Sequence, residues 1–81
     1  MANVIIKFKE NELDKTFQLE GEYIELVKLL KVVGVCQTGG HAKVIVNEGF
    51  VKVDGEVETR KKKKIRVGQL VEYEKFRITV E

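Results

Sequence analysis

Proline and tryptophan are absent from the 81 residues, and cysteine and histidine each occur once. Without proline, the turns are left to glycine, and the seven glycines mostly fall where turns are expected. The lone Cys36 excludes an internal disulfide and fits a reducing, cytosolic setting. One cysteine and one histidine cannot supply the roughly four ligands of a structural zinc site. A Cys36–His41 nucleophile pair would lack a third member, and no oxyanion-hole motif accompanies it. No apolar h-region follows a basic start, and no run approaches the ~18 apolar residues of a membrane span. These absences predict a soluble, cytoplasmic protein with no metal, no cofactor and no membrane partner.

What is present suits one small domain over residues 1–81, with 43% hydrophobic and 35% charged residues. A chain of this size buries only about 60–65% of its unfolded surface, so its core is thin. A pocket engulfing a large ligand would consume that core, which argues against an enzyme and against a small-molecule substrate. The net charge of +2 hides an asymmetry. Residues 1–30 carry four Lys against six acids, and residues 31–66 carry nine Lys or Arg against four acids. The middle segment is the candidate surface for a polyanion.

Along the chain, Asn3–Phe8 alternates as a strand, with Lys15–Leu19 as its returning partner in an antiparallel hairpin. Leu26, Leu29, Leu30 and Val33 share one helical face, which predicts a helix from about Tyr23 to Val33 ended by Gly34. Thr38 is a candidate N-cap for a second helix from about Gly39 to Glu48, with Ala42, Ile45 and Val46 inward and Gly49 terminating it. Phe50–Val53 and Glu56–Thr59 flank Asp54-Gly55, a dipeptide suited to a tight hairpin turn. After Gly68-Gln69, Leu70–Glu74 and Phe76–Val80 read as a final pair of strands. The expected architecture is α+β, with two short helices packed on a small antiparallel sheet behind an N-terminal β-hairpin.

Residues Ile24–Lys64 resemble the S4-type RNA-binding domain, the αL motif. The resemblance rests on three pieces in order: Leu26-Val27-Lys28-Leu29-Leu30 with Gly34, Thr38-Gly39-Gly40-His41-Ala42-Lys43, and Gly49-Phe50-Val51-Lys52-Val53-Asp54-Gly55. The core motif spans about residues 24–66, and the chain looks most like the small stand-alone bacterial members. Gly39 stands where the broader family often has Arg, and Asp54 where Asn is more usual. The resemblance implies docking on structured RNA, ribosomal or transfer RNA, with a ribosomal or RNA–protein assembly as the setting.

The candidate RNA contacts are Arg60, Lys61, Lys62, Lys63, Lys64 and Arg66, a basic run issuing from the hairpin. If that run stays extended, neighbouring lysines point to opposite sides and only alternate members reach one ligand. Lys43 and Asn47 lie one turn apart on the outward face of the second helix. Thr38, Gly39 and Gly40 offer hydroxyl and backbone N–H groups at its start, beside His41. Lys52 joins them from the Gly49–Gly55 stretch. The six aromatics, Phe8, Phe17, Tyr23, Phe50, Tyr73 and Phe76, fall mostly on inward faces, which predicts core packing and no base-stacking platform. A protein adaptor gripping an acidic partner is the alternative. Duplex DNA reading is disfavoured, because the second helix has only Lys43 as a basic residue.

Overall fold

The structure, a computed structural model, describes residues 14–81. The order is β1 (Asp14–Phe17), β2 (Ile24–Glu25), α1 (Leu26–Val32), α2 (Gly39–Asn47), β3 (Val51–Val53), β4 (Glu56–Val57), β5 (Lys64–Ile65), β6 (Leu70–Tyr73) and β7 (Phe76–Val80). Five strands form one sheet in the order β1-β7-β6-β3-β4, and β2 pairs with β5 in a separate ribbon. The α+β class expected from the sequence is the one observed.

The helices form where their apolar spacing demands a buried stripe. Leu26, Leu29 and Leu30 of α1 and Ala42, Ile45 and Val46 of α2 are buried against each other and against the sheet. The sheet answers with Val51, Val53, Val71, Ile78 and Val80, while Ile65 enters from the ribbon. Thr38 caps α2 as its sequence position suggests, its hydroxyl accepting from the His41 N–H at 3.1 Å. At the other end, the Phe50 N–H donates to the Ile45 carbonyl and the Gly49 N–H to the Val46 carbonyl. That paired closure needs a left-handed residue, and Gly49 supplies it at φ 81°.

The β3–β4 hairpin turns on Asp54 and Gly55, both at positive φ, as a type I′ turn requires. Asp54 does more than turn the chain. Its carboxylate accepts from the Leu70 N–H at 3.0 Å and from the Gln69 side-chain amide at 2.9 Å. Gln69 in turn accepts from the Arg66 N–H at 2.8 Å, so the hairpin turn is bonded to the turn that precedes β6. These bonds hold the Asp54 carboxyl below the ordinary carboxylate range, with the Gln69 bond as the main cause.

Several expectations are corrected. The first arm of the proposed N-terminal hairpin, Asn3–Phe8, lies outside the described residues. Its second arm is β1, whose described partner is β7, paired in parallel from Asp14–Arg77 to Phe17–Val80. The sheet is therefore mixed, not wholly antiparallel. That register sets half-buried Phe17 beside buried Val80, and the pairing continues through Glu81 N–H to the Phe17 carbonyl. The first helix begins at Leu26, because Ile24 and Glu25 are drawn into pairing with Ile65 and Lys64. The aromatics divide, with half-buried Phe17 and Tyr73 packed against the core and others left outside it. Phe50 is 60% exposed and Tyr23 41% exposed, and no aromatic is fully buried among the described residues.

Two stability outcomes follow from this packing. Leu30→Ala removes a fully buried side chain from a thin core and is expected to cost about 2–5 kcal/mol in urea denaturation. The depressed Asp54 carboxyl contributes stability that is present above its unfolded pKa and is lost as pH falls through the lower folded value. Asp54→Asn should therefore flatten the acid limb of the stability-against-pH curve measured by denaturation.

Candidate nucleic-acid interface

The site begins with a helix that lacks its own cap. Glu25 is the N-cap residue of α1, but its side chain makes no capping bond. The first N–H groups of the helix find other acceptors. Leu26 donates to the Lys63 carbonyl at 2.9 Å and Val27 to the Lys61 carbonyl at 3.2 Å. The basic run is thus stitched to the start of α1 through its own backbone. Within the run, Lys63 N–H bonds the Arg60 carbonyl at 3.2 Å, closing a turn at Lys61 and Lys62.

The run is therefore not extended throughout, and strand alternation does not decide which of its lysines share a face. Arg60, Lys61 and Lys62 instead line one side of a groove of ≈ 570 Å³. Lys28 and Lys31 of α1 line another part of it, with Val27 between the charges, and Lys43 reaches it from α2. Six cations from three separate segments meet there, against one carboxylate, Glu25. The walls are otherwise apolar, as expected where long Lys and Arg stems lie along a surface and leave their charges at the rim.

Arg60 is held in place. Glu58 accepts from its Nε at 2.9 Å, from its Nη2 at 3.2 Å and from its backbone N–H at 3.0 Å. Glu58 is largely covered, with 12% of its side chain exposed, whereas Arg60 keeps 72%. The Arg60 bonds pull the Glu58 carboxyl below its usual range. The fork grips Nε and Nη2, leaves Nη1 outside the ion pair, and marks the point where the turn begins.

The other candidate residues are distributed differently. Lys62, Lys63 and Lys64 with Arg60 line a neighbouring concavity, so the run continues past the groove. Arg66 lies beyond it, donating from Nη1 to the Glu22 carbonyl at 3.4 Å. Thr38, Gly39, Gly40 and His41 form the start of α2 but do not line the groove. Asn47 sits at the far end of α2, and Lys52 pairs across the sheet with Val57 and Glu72; neither lines the groove. Cys36 is buried while His41 is exposed, and among the described residues no cluster of His, Cys, Asp or Glu could hold a metal ion. No helix among the described residues is long and apolar enough to cross a membrane. Lys28 and Lys31, which line the groove, are not among the candidate contacts read from the sequence. Their three-residue spacing was the available signal.

The match to known proteins follows the same frame. The S4 domain family matches residues 17–81, four-fifths of the chain. The chain belongs to the S4 domain family. A curated relative, the putative RNA-binding protein YbcJ of Escherichia coli, is 49% identical over 59 residues, covering 72% of this chain and 84% of that protein. The probable ribosome maturation protein RlbA of Bacillus subtilis is 40% identical over 58 residues, covering 72% of this chain and 82% of its own. The solution structure of E. coli YbcJ, described as revealing an αL motif involved in RNA binding, superposes with a TM-score of 0.66 at 44% identity. That match covers 86% of this chain and 87% of the other.

The Glu58 grip has a measurable consequence. Glu58→Ala should speed amide hydrogen exchange at Lys63 and at the first turn of α1, while lowering global stability by no more than about 1 kcal/mol, as expected for an ion pair whose arginine stays exposed to solvent.

Proposed function

We propose that this S4 domain protein is a non-enzymatic, single-domain RNA-binding protein that docks on structured RNA through the groove between α1, α2 and the basic turn. One observation carries the reading. Lys28, Lys31, Lys43, Arg60, Lys61 and Lys62 converge on one concave surface although they come from three segments of the chain. Gathering like charges raises the energy of the folded state, and a polyanion relieves it by displacing counterions. The phosphate backbone is the contact such a surface favours, with the shape of the RNA rather than its sequence as the main selector.

The relatives support the same direction. YbcJ carries an RNA-binding name and RlbA a ribosome-maturation name, which favours ribosomal RNA over transfer RNA as the target and the bacterial cytoplasm as the setting. Arg60–Lys62 and Lys43 form the shared centre of the interface in this reading. Lys63, Lys64 and Arg66 extend it along the run, and Thr38, Gly39, Gly40, His41, Asn47 and Lys52 flank it.

The salt dependence of binding tests the proposal. Binding of a ribosomal RNA hairpin should weaken with salt, with log K falling by roughly 0.7–0.9 per neutralised phosphate against log salt, so about four phosphates give a slope near −3. Lys28→Gln and Lys43→Gln should each weaken binding and reduce that slope by about one. A protein that binds heparin as tightly as RNA, or Lys28 and Lys43 variants with unchanged slopes, would point to an adaptor for acidic partners instead.

A further inference from the structure

The exposed aromatic ring at the end of the basic run is not explained by the groove. Tyr23 lies just before β2 and is 41% exposed. Lys64 places its Nζ 4.9 Å from the centre of the ring, and the Arg66 guanidinium carbon lies 5.9 Å from it. Both distances are within cation–π range. Two cations are thus gathered at an aromatic ring on the surface.

Beside Tyr23 lies a second concavity of ≈ 380 Å³. Leu19, Ile24 and Val32 give it apolar walls, and Gln18 and Glu20 add an amide and a carboxylate. Its size falls within the about 300–1,000 Å³ typical of small-ligand sites. It adjoins the basic groove, because Lys28 lines both. On the other side the basic track leads from Arg60 and Lys62 through Lys64 to the Tyr23 ring.

We propose that this concavity is a subsite for one unpaired RNA base, stacked on Tyr23, whose flanking phosphate is held by Lys28. The inference rests on the RNA-binding reading and adds to it a contact with a base. Its chemistry differs from that of the groove in ways that favour a base over a phosphate. Glu20 repels an anion but accepts hydrogen bonds from the amino and imino groups of a base edge, and the Gln18 amide can accept through its oxygen and donate through its nitrogen. The apolar walls and the aromatic ring receive the faces of a flat heterocycle, and stacking of this kind is sequence-tolerant. Lys64 and Arg66 lie over the ring, where they can meet the strand that leads away, and the base takes the part of the ring that lines the concavity. The groove then reads the backbone of a helical stem, and the Tyr23 subsite reports whether a single-stranded nucleotide adjoins it.

The test compares a blunt RNA duplex with the same duplex carrying an unpaired overhang, using anisotropy of a labelled strand. The overhang should tighten binding by the full-length protein about tenfold, and Tyr23→Ala should remove that gain while leaving blunt-duplex binding within about twofold. Tyr23→Phe should retain the gain, since it keeps the ring, and thermal melts by circular dichroism show whether each variant is folded. A fluorescent purine analogue in the overhang should be quenched by the unaltered protein, a readout that needs no variant. Equal binding of both duplexes, with the analogue unquenched, overturns the subsite and leaves RNA binding standing. Failure to bind either duplex overturns both.

Discussion

Two hydrogen bonds from the start of α1 to the carbonyls of Lys61 and Lys63 hold the basic surface together. A helix whose first N–H groups go unmet in a packed setting loses free energy comparable to missing hydrogen bonds. Here the helix has no side-chain cap, so the basic loop becomes its cap. The exchange binds two needs into one contact: α1 is completed only when the loop is in place, and the loop is shaped only when α1 is there to accept it. The ribbon of β2 and β5 extends the contact by two antiparallel pairs, Glu25 with Lys64 and Ile24 with Ile65. Because the carbonyls do the capping, the lysine side chains are not consumed by it.

This arrangement explains how so small a domain tolerates a dense cluster of positive charge. The opposing stabilisation comes from the apolar layer between helices and sheet, where Leu26, Leu29, Leu30, Val46, Ile65 and Ile78 are fully covered. Among the described residues, no buried side-chain nitrogen or oxygen lacks a hydrogen-bond partner, so the core carries no polar penalty. The charges remain at the rim in water, where their mutual repulsion is screened until a ligand displaces the counterions. Glu58 adds a local correction by holding Arg60 in one orientation instead of neutralising the cluster.

What was legible in the sequence was local. The Thr38 cap acts over three residues, Gly49 closes its helix over five, and Asp54-Gly55 turns between adjacent strands. Each is decided by chemistry within a short window, and each was foreseen. The groove was only half visible because its geometry depends on distant partners. Lys43 and the basic run were identified, but Lys28 and Lys31 join them only because residues near 62 fold back onto the start of α1. The run's departure from an extended form was hidden for the same reason, since nothing local announces a turn at Lys61. Phe50 shows a different error: alternation around buried Val51 and Val53 already puts it on the outer face, and its hydrophobic character obscured that parity. The parallel pairing of β1 with β7 was hidden by the habit of matching a strand with its neighbour in sequence.

The position of β7 has a consequence for how the chain acquires its shape during synthesis. Of the described strands it is the last to be made, yet it lies between β1 and β6 in the sheet. The helix pair, the β3–β4 hairpin and the loop that caps α1 all form from segments that emerge earlier and lie closer together. β1 must wait for a partner separated from it by nearly the whole described chain, and such distant closures are the slow ones in small domains. The charged groove can therefore be assembled while its supporting sheet is still incomplete, leaving the edges of β6 and β1 that pair with β7 open until that strand arrives.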